Sequence, residues 1–270
     1  MTTVAITTTA TASERAASRA RRDNVIRLVS LIVVLAVWEV YGRSVNPILF
    51  TYPTAVAQAA VTIIGSGELW TYLSASLLIF VQGLLLSIIV GIPLGVLMAR
   101  FHLVDTVLEM YINALYSMPT VAIVPLLVLW FGFDAPAKTV IVFLFTVFPL
   151  LLNTYQGVKN VEANLLEVAR SFCSSERRLW SDVIVPSALP YILVGLRLAI
   201  GRGLVGIVIA DFYTAISGIG YLIVQYANSF QTAKLFVPIV TLMLLGIVLT
   251  ELLKALERRI TPWLDQNQAA

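Results

Sequence analysis

The sequence predicts an all-α, polytopic membrane protein with about six transmembrane helices, and three observations support that class. Hydrophobic residues make up 59% of the chain and charged residues only 12%, with a mean hydropathy of +0.90. A soluble domain is about a quarter charged and just under half apolar, so this chain has too little polar surface to cover itself. The apolar segments are continuous, whereas a membrane β-barrel needs alternating strands of about ten residues. At about 20 residues per span, a chain of 270 residues has room for six spans and their loops.

Residues 1–27 are rich in Thr, Ala and Ser and hold Arg15, Arg19, Arg21, Arg22 and Arg27 against Glu14 and Asp23. Such a stretch has the flavour of a mitochondrial presequence or of the charged start of a signal peptide. The apolar run behind it ends in WEVYGR, without a small-residue cleavage site. It therefore reads as a retained first span over 28–45, preceded by a disordered, basic cytoplasmic tail. Residues 46–73 contain Pro47, Pro53, Gly65 and Gly67 and suit an external loop with a short helix on the membrane surface.

Residues 74–258 are expected to form the core, with five further spans. The second span, 74–99, stops at Arg100 and repeats small residues at Gly83, Ser87, Gly91 and Gly95. Every fourth position falls on one face, where another helix can approach closely. Pro93 is expected to bend this helix, with the freed carbonyl satisfied by neighbours. The third, 105–131, is interrupted by Pro119 and Pro125. A break at membrane depth is tolerated only beside protein or a water-filled cavity, so this span is either a pathway wall or a packing kink. The fourth covers 138–152, the fifth 190–212 and the sixth 235–253, and 259–270 form a cytoplasmic tail. Trp38, Trp70, Trp130 and Trp263 fall at span ends, as interfacial anchors do.

Lys and Arg set the orientation. With both termini inside, the cytoplasmic face collects the tail arginines, Arg100, Lys159, Arg170, Arg177, Arg178, Lys254, Arg258 and Arg259. The external face keeps Arg43, Lys138 and Lys234. The net charge of +3 reflects this asymmetry rather than nucleic-acid binding.

Between the fourth and fifth spans lies the one long polar interval, 158–186, with Glu162, Glu167, Glu176, Asp182, Arg170, Arg177 and Arg178. Leu165, Leu166, Ala169 and Phe172 recur at helical spacing before Cys173, which predicts a short helix-turn-helix. Such a helix can lay its apolar face into a groove on a partner; the bland alternative is a solvated loop. Glu167-Val168-Ala169, three residues, Cys173, then Val183, Val185 and Pro186 resemble the EAA loop of permease subunits in binding-protein-dependent ABC importers. The family pattern is Glu-Ala-Ala, three residues, Gly, nine residues, an aliphatic, one residue, an aliphatic and Pro. Val168 departs from the pattern at its first Ala and Cys173 at its Gly. The words LWFGFDAPAK, NTYQGVKNV, LPYILVGLRLAIGR and GIGYLI resemble more narrowly the permeases of the nitrate, sulfonate and taurine importer group. The resemblance extends from about Pro53 onward.

This resemblance implies a type I ABC importer permease (MetI-like) fold in a bacterial inner membrane, with no catalysis on this chain. It implies an ABC ATPase subunit dimer beneath the polar loop, with ATP and Mg held on that partner. It also implies a solute-binding protein on the external loops and a second permease copy, most simply as a homodimer. The residues it assigns to ATPase coupling are Glu167, Ala169, Arg170, Cys173 and Pro186. The solute would be a small anion such as nitrate, a sulfonate or taurine. A thiamine-precursor pyrimidine, riboflavin or an aromatic acid are the alternatives within the same fold. Cys173 raises a local question. Gly at a turn supplies positive φ, which costs another residue on the order of 1 kcal/mol, so either the turn does not need it or it is strained.

Charges within spans default to a functional hypothesis. Arg197 and Arg202 are five residues apart in the fifth span, about 140° around a helix, and do not share a face. Arg202 sits deeper and is the better candidate to line a pathway and attract an anion, along with the Pro119 break. Arg197 lies nearer the cytoplasmic end, where its side chain can reach the headgroups. Asp211, nine residues beyond Arg202, is about 13 Å along the axis, too far for an easy pair. Glu39 is expected to face a partner helix or the external interface, and His102 to contact headgroups.

Other functions lack their residues. There is no GxxxxGK[ST] phosphate loop and no GxSxG or paired catalytic carboxylates. With one His and one Cys, a metal site is nearly excluded and an internal disulfide impossible. An ion-coupled secondary carrier would need buried acidic or His relays and internal repeats. A purely structural subunit would leave the intramembrane arginines unexplained.

Overall fold

The computed structural model describes the backbone over residues 4–261 and the side chains over 21–261, and every regular element among these residues is helical. Among the described residues five helices are long and apolar enough to cross a membrane, or six where a sharply bent pair is counted as one span. Trp263 and most of 259–270 lie outside the described residues.

Helix α1 spans Val4–Ser44. The tail read as disordered over 1–27 is therefore helical from Val4, continuous with the first span. The physical reason lies in SERAASRARR: Ala, Arg and Glu are strong helix formers, and no Gly or Pro interrupts the chain before Gly42. Only 6% of the apolar window of α1 is buried; the helix is moored at its C-terminal end. There Trp38 Nε1 donates to the Thr51 carbonyl at 2.9 Å. The Glu39 carboxylate accepts from the Thr54 amide at 3.0 Å and its hydroxyl at 2.7 Å. Thr54 opens α2 (Pro53–Gly65), so Glu39 does face a neighbouring helix, whose exposed N–H end it caps.

Helix α2 is embedded, not loose: Val56, Ala59 and Ile63 pack with Leu69, Leu222 and Val237. Helix α3 runs Glu68–Arg100, so the loop expected over 46–73 is shorter, ending where Gly67 adopts φ +78°. The small-residue face of α3 meets α6 (Ala135–Lys159). A Cβ on Gly95 would stand 2.6 Å from the Leu151 carbonyl oxygen, and one on Gly83 2.6 Å from Val142. Between them Ser87 Oγ and Thr146 Oγ1 are 2.5 Å apart.

The polar interval folds as α7 (Ala163–Ser171), a turn, and α8 (Glu176–Arg178). Through a π turn, Leu179–Ile184, α8 continues without interruption into α9 (Val185–Thr214). The second half of the expected loop 158–186 is thus the start of the fifth span. Glycines of α9 pack on an adjoining face of α6: Gly195 against Asn153 and Pro149, Gly203 against Thr146, Gly206 against Phe145. Phe80 of α3 also meets Gly203, so α3, α6 and α9 pack mutually around one buried cluster of Ile79, Phe80, Val142, Leu193, Ile200 and Ile207. Helices α10 (Ile219–Asn228) and α11 (Thr232–Ile260) are the last two among the described residues.

The third span is α4 (His102–Ser117) followed by α5 (Thr120–Phe131), bent by 96°. The break is at Pro119; Pro125 is accommodated inside α5.

Lys138, expected among the external loop cations, is instead buried at 3% exposure, and Asp211 at 0%. Lys138 Nζ lies 2.8 Å from Asp211 Oδ1. Asp211 Oδ2 also accepts from Ser76 Oγ at 2.7 Å and from the Gly220 amide at 3.1 Å. Removing one member of such a pair strands a buried charge. Lys138→Met should therefore cost about 3–5 kcal/mol, and Lys138→Met with Asp211→Leu markedly less. Thermal unfolding of the detergent-solubilised protein measures both.

Candidate functional site

Two regions gather the residues singled out in the sequence: the α7–α8 hairpin and a cavity at the α4–α5 bend. In the hairpin, helix α7 has no buried residue. Leu166 and Ala169 turn inward and are half-buried, whereas Leu165 and Val168 are exposed and Phe172 is 82% exposed. The apolar face read as 165, 166, 169 and 172 is thus split in two. The outward stripe is Leu165, Val168 and Phe172, at spacings of three and four. Val168, a departure from the family pattern, is one of the three.

The turn answers the question posed by Cys173. Its φ is +51°. The Cys173 amide donates to the Arg170 carbonyl at 2.8 Å, and the Ser174 amide to the Ala169 carbonyl at 3.2 Å. This is the Schellman closure of a helix end, with Cys173 in the left-handed position that Gly usually fills. So Ala169, Arg170 and Cys173 meet through their backbones, and the turn does need positive φ. The side chains of Glu167 and Arg170 point to solvent and join no ion pair among the described residues. Pro186 sits just past the π turn, in which the Val185 amide donates five residues back to the Trp180 carbonyl. Proline has no N–H and crowds the carbonyl four residues before it; the wider turn accommodates both.

The return arm of the hairpin touches the end of α3. Arg100 Nη2 is 3.0 Å from Glu176 Oε2, and its guanidinium lies 5.2 Å from the Trp180 ring. Nothing in the sequence pattern pairs Arg100 with residue 176.

Arg202 lies at the second region. Its Nη2 donates to the Tyr116 hydroxyl at 3.1 Å, and its guanidinium stands 5.1 Å over the Tyr116 ring. Both line a cavity of about 200 Å³ together with Thr120, Val121, Phe145, Phe148 and Val205. The Pro119 break thus opens beside Arg202. Tyr116 and Thr120 were invisible to sequence reasoning, because only the 96° bend turns them toward α9. Arg197 is not in this group. It pairs with Glu257 of α11 at 2.5 Å, on a different side of α9, so it ties helices together rather than reaching toward headgroups.

Comparison with known proteins places the chain among membrane transport components. The sequence profile of one family, described as binding-protein-dependent transport system inner membrane component, matches residues 91–262. The aliphatic sulfonates transport permease protein SsuC of Bacillus subtilis (strain 168) is 33% identical over 233 residues, covering 86% of this chain and 84% of the relative. Its namesake in Escherichia coli (strain K12) is 36% identical over 238 residues, covering 87% and 89%. The taurine transport system permease protein TauC of Escherichia coli (strain K12) is 30% identical over 254 residues, covering 92% of each.

The Cys173 geometry makes a direct test. Cys173→Gly should leave the hairpin as stable or more so. Cys173→Val, β-branched at positive φ, should weaken it by about 1–2 kcal/mol. Limited proteolysis at the hairpin of the solubilised protein reads the difference as a faster cleavage rate for the Val variant.

Proposed function

The chain belongs to the family of binding-protein-dependent transport system inner membrane components, and on that premise we propose that it forms half of an ATP-driven import pathway for a small anion. It is a multi-pass, transmembrane permease subunit of an ABC importer. The observation behind the coupling part of the proposal is the outward stripe Leu165, Val168 and Phe172 on a protruding hairpin. An apolar stripe flanked by Glu167 and Arg170 is what a docking helix presents. Its partner is an ABC ATPase subunit, which holds the ATP and Mg; Glu167, Ala169, Arg170 and Cys173 shape the contact, and Pro186 sets the base of the arm. The hairpin then faces the cytoplasm, and both termini lie on the same side as it. A solute-binding protein delivers its cargo on the opposite face, where α2 and the α10–α11 turn lie, and a second copy of the chain completes the pathway.

The substrate reading rests on the Arg202 cavity. A guanidinium presents a planar fork of N–H donors suited to sulfonate-like oxygens. The Phe145, Phe148, Val121 and Val205 walls suit a short alkyl group. Sulfonates and taurine combine these features, whereas a neutral pyrimidine would not engage the charge.

Two measurements test these assignments. Burying a Phe is worth about 1.5–3 kcal/mol, so Phe172→Ser should weaken ATPase association by roughly ten- to a hundredfold. Glu167→Lys should weaken it too, with membrane insertion intact in both; unchanged co-purification and transport would count against docking. In reconstituted uptake of taurine and an alkanesulfonate, Arg202→Ala should reduce the rate more than Arg197→Ala. Equal, near-normal rates would remove both arginines from the pathway.

A further inference from the structure

Helix α4 has an unusual attachment. Its 16 residues extend about 24 Å, yet Ile112 is the one buried residue along it. Side-chain bonds hold it at its two ends, and between them only a narrow seam of Val104, Leu108 and Ile112 packs with Met98 and Leu151. At the base, the Asp105 carboxylate accepts from the Tyr155 hydroxyl at 2.9 Å and from Lys159 Nζ at 3.1 Å, both near the end of α6. Just before it, Arg100 meets Glu176 and Trp180 on the hairpin's return arm. At the tip, the Tyr116 ring packs 6.2 Å from Phe148, and its hydroxyl accepts from Arg202. The chain then turns through 96°, and Thr120 enters the same cavity.

We propose that α4 is a strut linking the hairpin to the Arg202 cavity, and that Tyr116 is the positioning residue that opens and closes the cavity at Arg202. The proposal rests on the reading of the hairpin as the ATPase-docking element. An exposed ion pair such as Arg100–Glu176 adds little to stability. Its significance is its position, where the hairpin reaches the α3–α4 junction. A helix with few buried contacts can shift at little packing cost, whereas the glycine contacts of α3 and α9 hold α6 fixed. Displacement of Glu176 by a docked partner frees Arg100 at the α3–α4 junction, and α4 pivots about the Asp105 bonds to α6, so that its tip carries Tyr116 away from Arg202. In the present arrangement the hydroxyl occupies a guanidinium donor and the ring covers a face of the charge, so an anion must compete with Tyr116. The coupling is reciprocal: an anion on Arg202 displaces Tyr116 and biases the hairpin in turn.

The experiment uses the full permease–ATPase complex in lipid nanodiscs with Thr120→Cys introduced into the permease. A small, uncharged, water-soluble thiol reagent is applied with and without a non-hydrolysable ATP analogue. Peptide mass spectrometry scores position 120 and Cys173 separately. Cys173 should be protected by the ATPase. Labelling at position 120 should change by about fivefold or more with nucleotide, the low end of ordinary allosteric coupling. Arg100→Gln or Glu176→Gln should abolish the change at 120 while Cys173 stays protected, and Arg100→Glu combined with Glu176→Arg should restore it. Tyr116→Phe, which keeps the ring, should raise labelling at 120 without nucleotide. A nucleotide response at 120 that persists in the single variants, or a Tyr116→Phe rate equal to the parent's, would overturn the strut while leaving docking intact. An unprotected Cys173 in the parent complex would overturn the docking reading itself, and the strut with it.

Discussion

The fold depends on how a buried charge is kept satisfied at the junction of four helices. Lys138 has three protons to donate, and they go to the Asp211 carboxylate at 2.8 Å, the Ser217 carbonyl at 2.6 Å and the Ser217 hydroxyl at 3.2 Å. Asp211 fills its remaining valence with Ser76 Oγ and the Gly220 amide, and Ser76 Oγ in turn accepts from the Ile219 amide at 2.7 Å. A buried pair repays its desolvation only when every remaining donor and acceptor is bonded. Meeting that condition draws α3, α6, α9 and the start of α10 to one point. It also dictates local sequence. Gly218, at φ +99°, and Gly220 lie so close to Asp211 that a Cβ on either would collide with it. The SGIG run is therefore the mould of a carboxylate.

What the sequence revealed of the fold was what hydropathy and spacing encode. The stripe of Gly83, Ser87, Gly91 and Gly95 announced a close helix contact, and the structure delivers one. The partner helix was not legible, because a face of small residues says how near a neighbour comes, not which one arrives. Lys138 was misread for a related reason. A cation beside Asp134 and Pro136 looks like a loop residue until tertiary structure supplies Asp211, more than seventy positions away. The extra helical turns of α1, α3 and α9 beyond their apolar cores were likewise missed. Hydropathy marks only the stretch suited to hydrocarbon, while a helix continues until propensity or a turn residue stops it.

The candidate site was legible in part. The hairpin and its strained Cys173 could be anticipated because turn chemistry is local. Arg202 could be singled out because a charge amid apolar residues is costly. Its setting could not: Tyr116 reaches it from 86 residues away, by way of a bend that proline permits but whose angle neighbours decide. Arg197 shows the limit of reasoning from one helix alone. Its depth in the span set it apart from Arg202 and suggested a headgroup contact, and only the position of Glu257 on α11 reveals a helix clasp instead.

The mooring of α1 has one more consequence. Among the described residues, hydrogen bonds at Trp38 and Glu39 and the close approach of Gly42 to Thr51 and Tyr52 join it to the rest near a single end, and the family profile begins only at residue 91, well inside α3. The exposed segment 21–37 is therefore an outrigger: its charge or its length can be altered without disturbing the chassis from which transport is built.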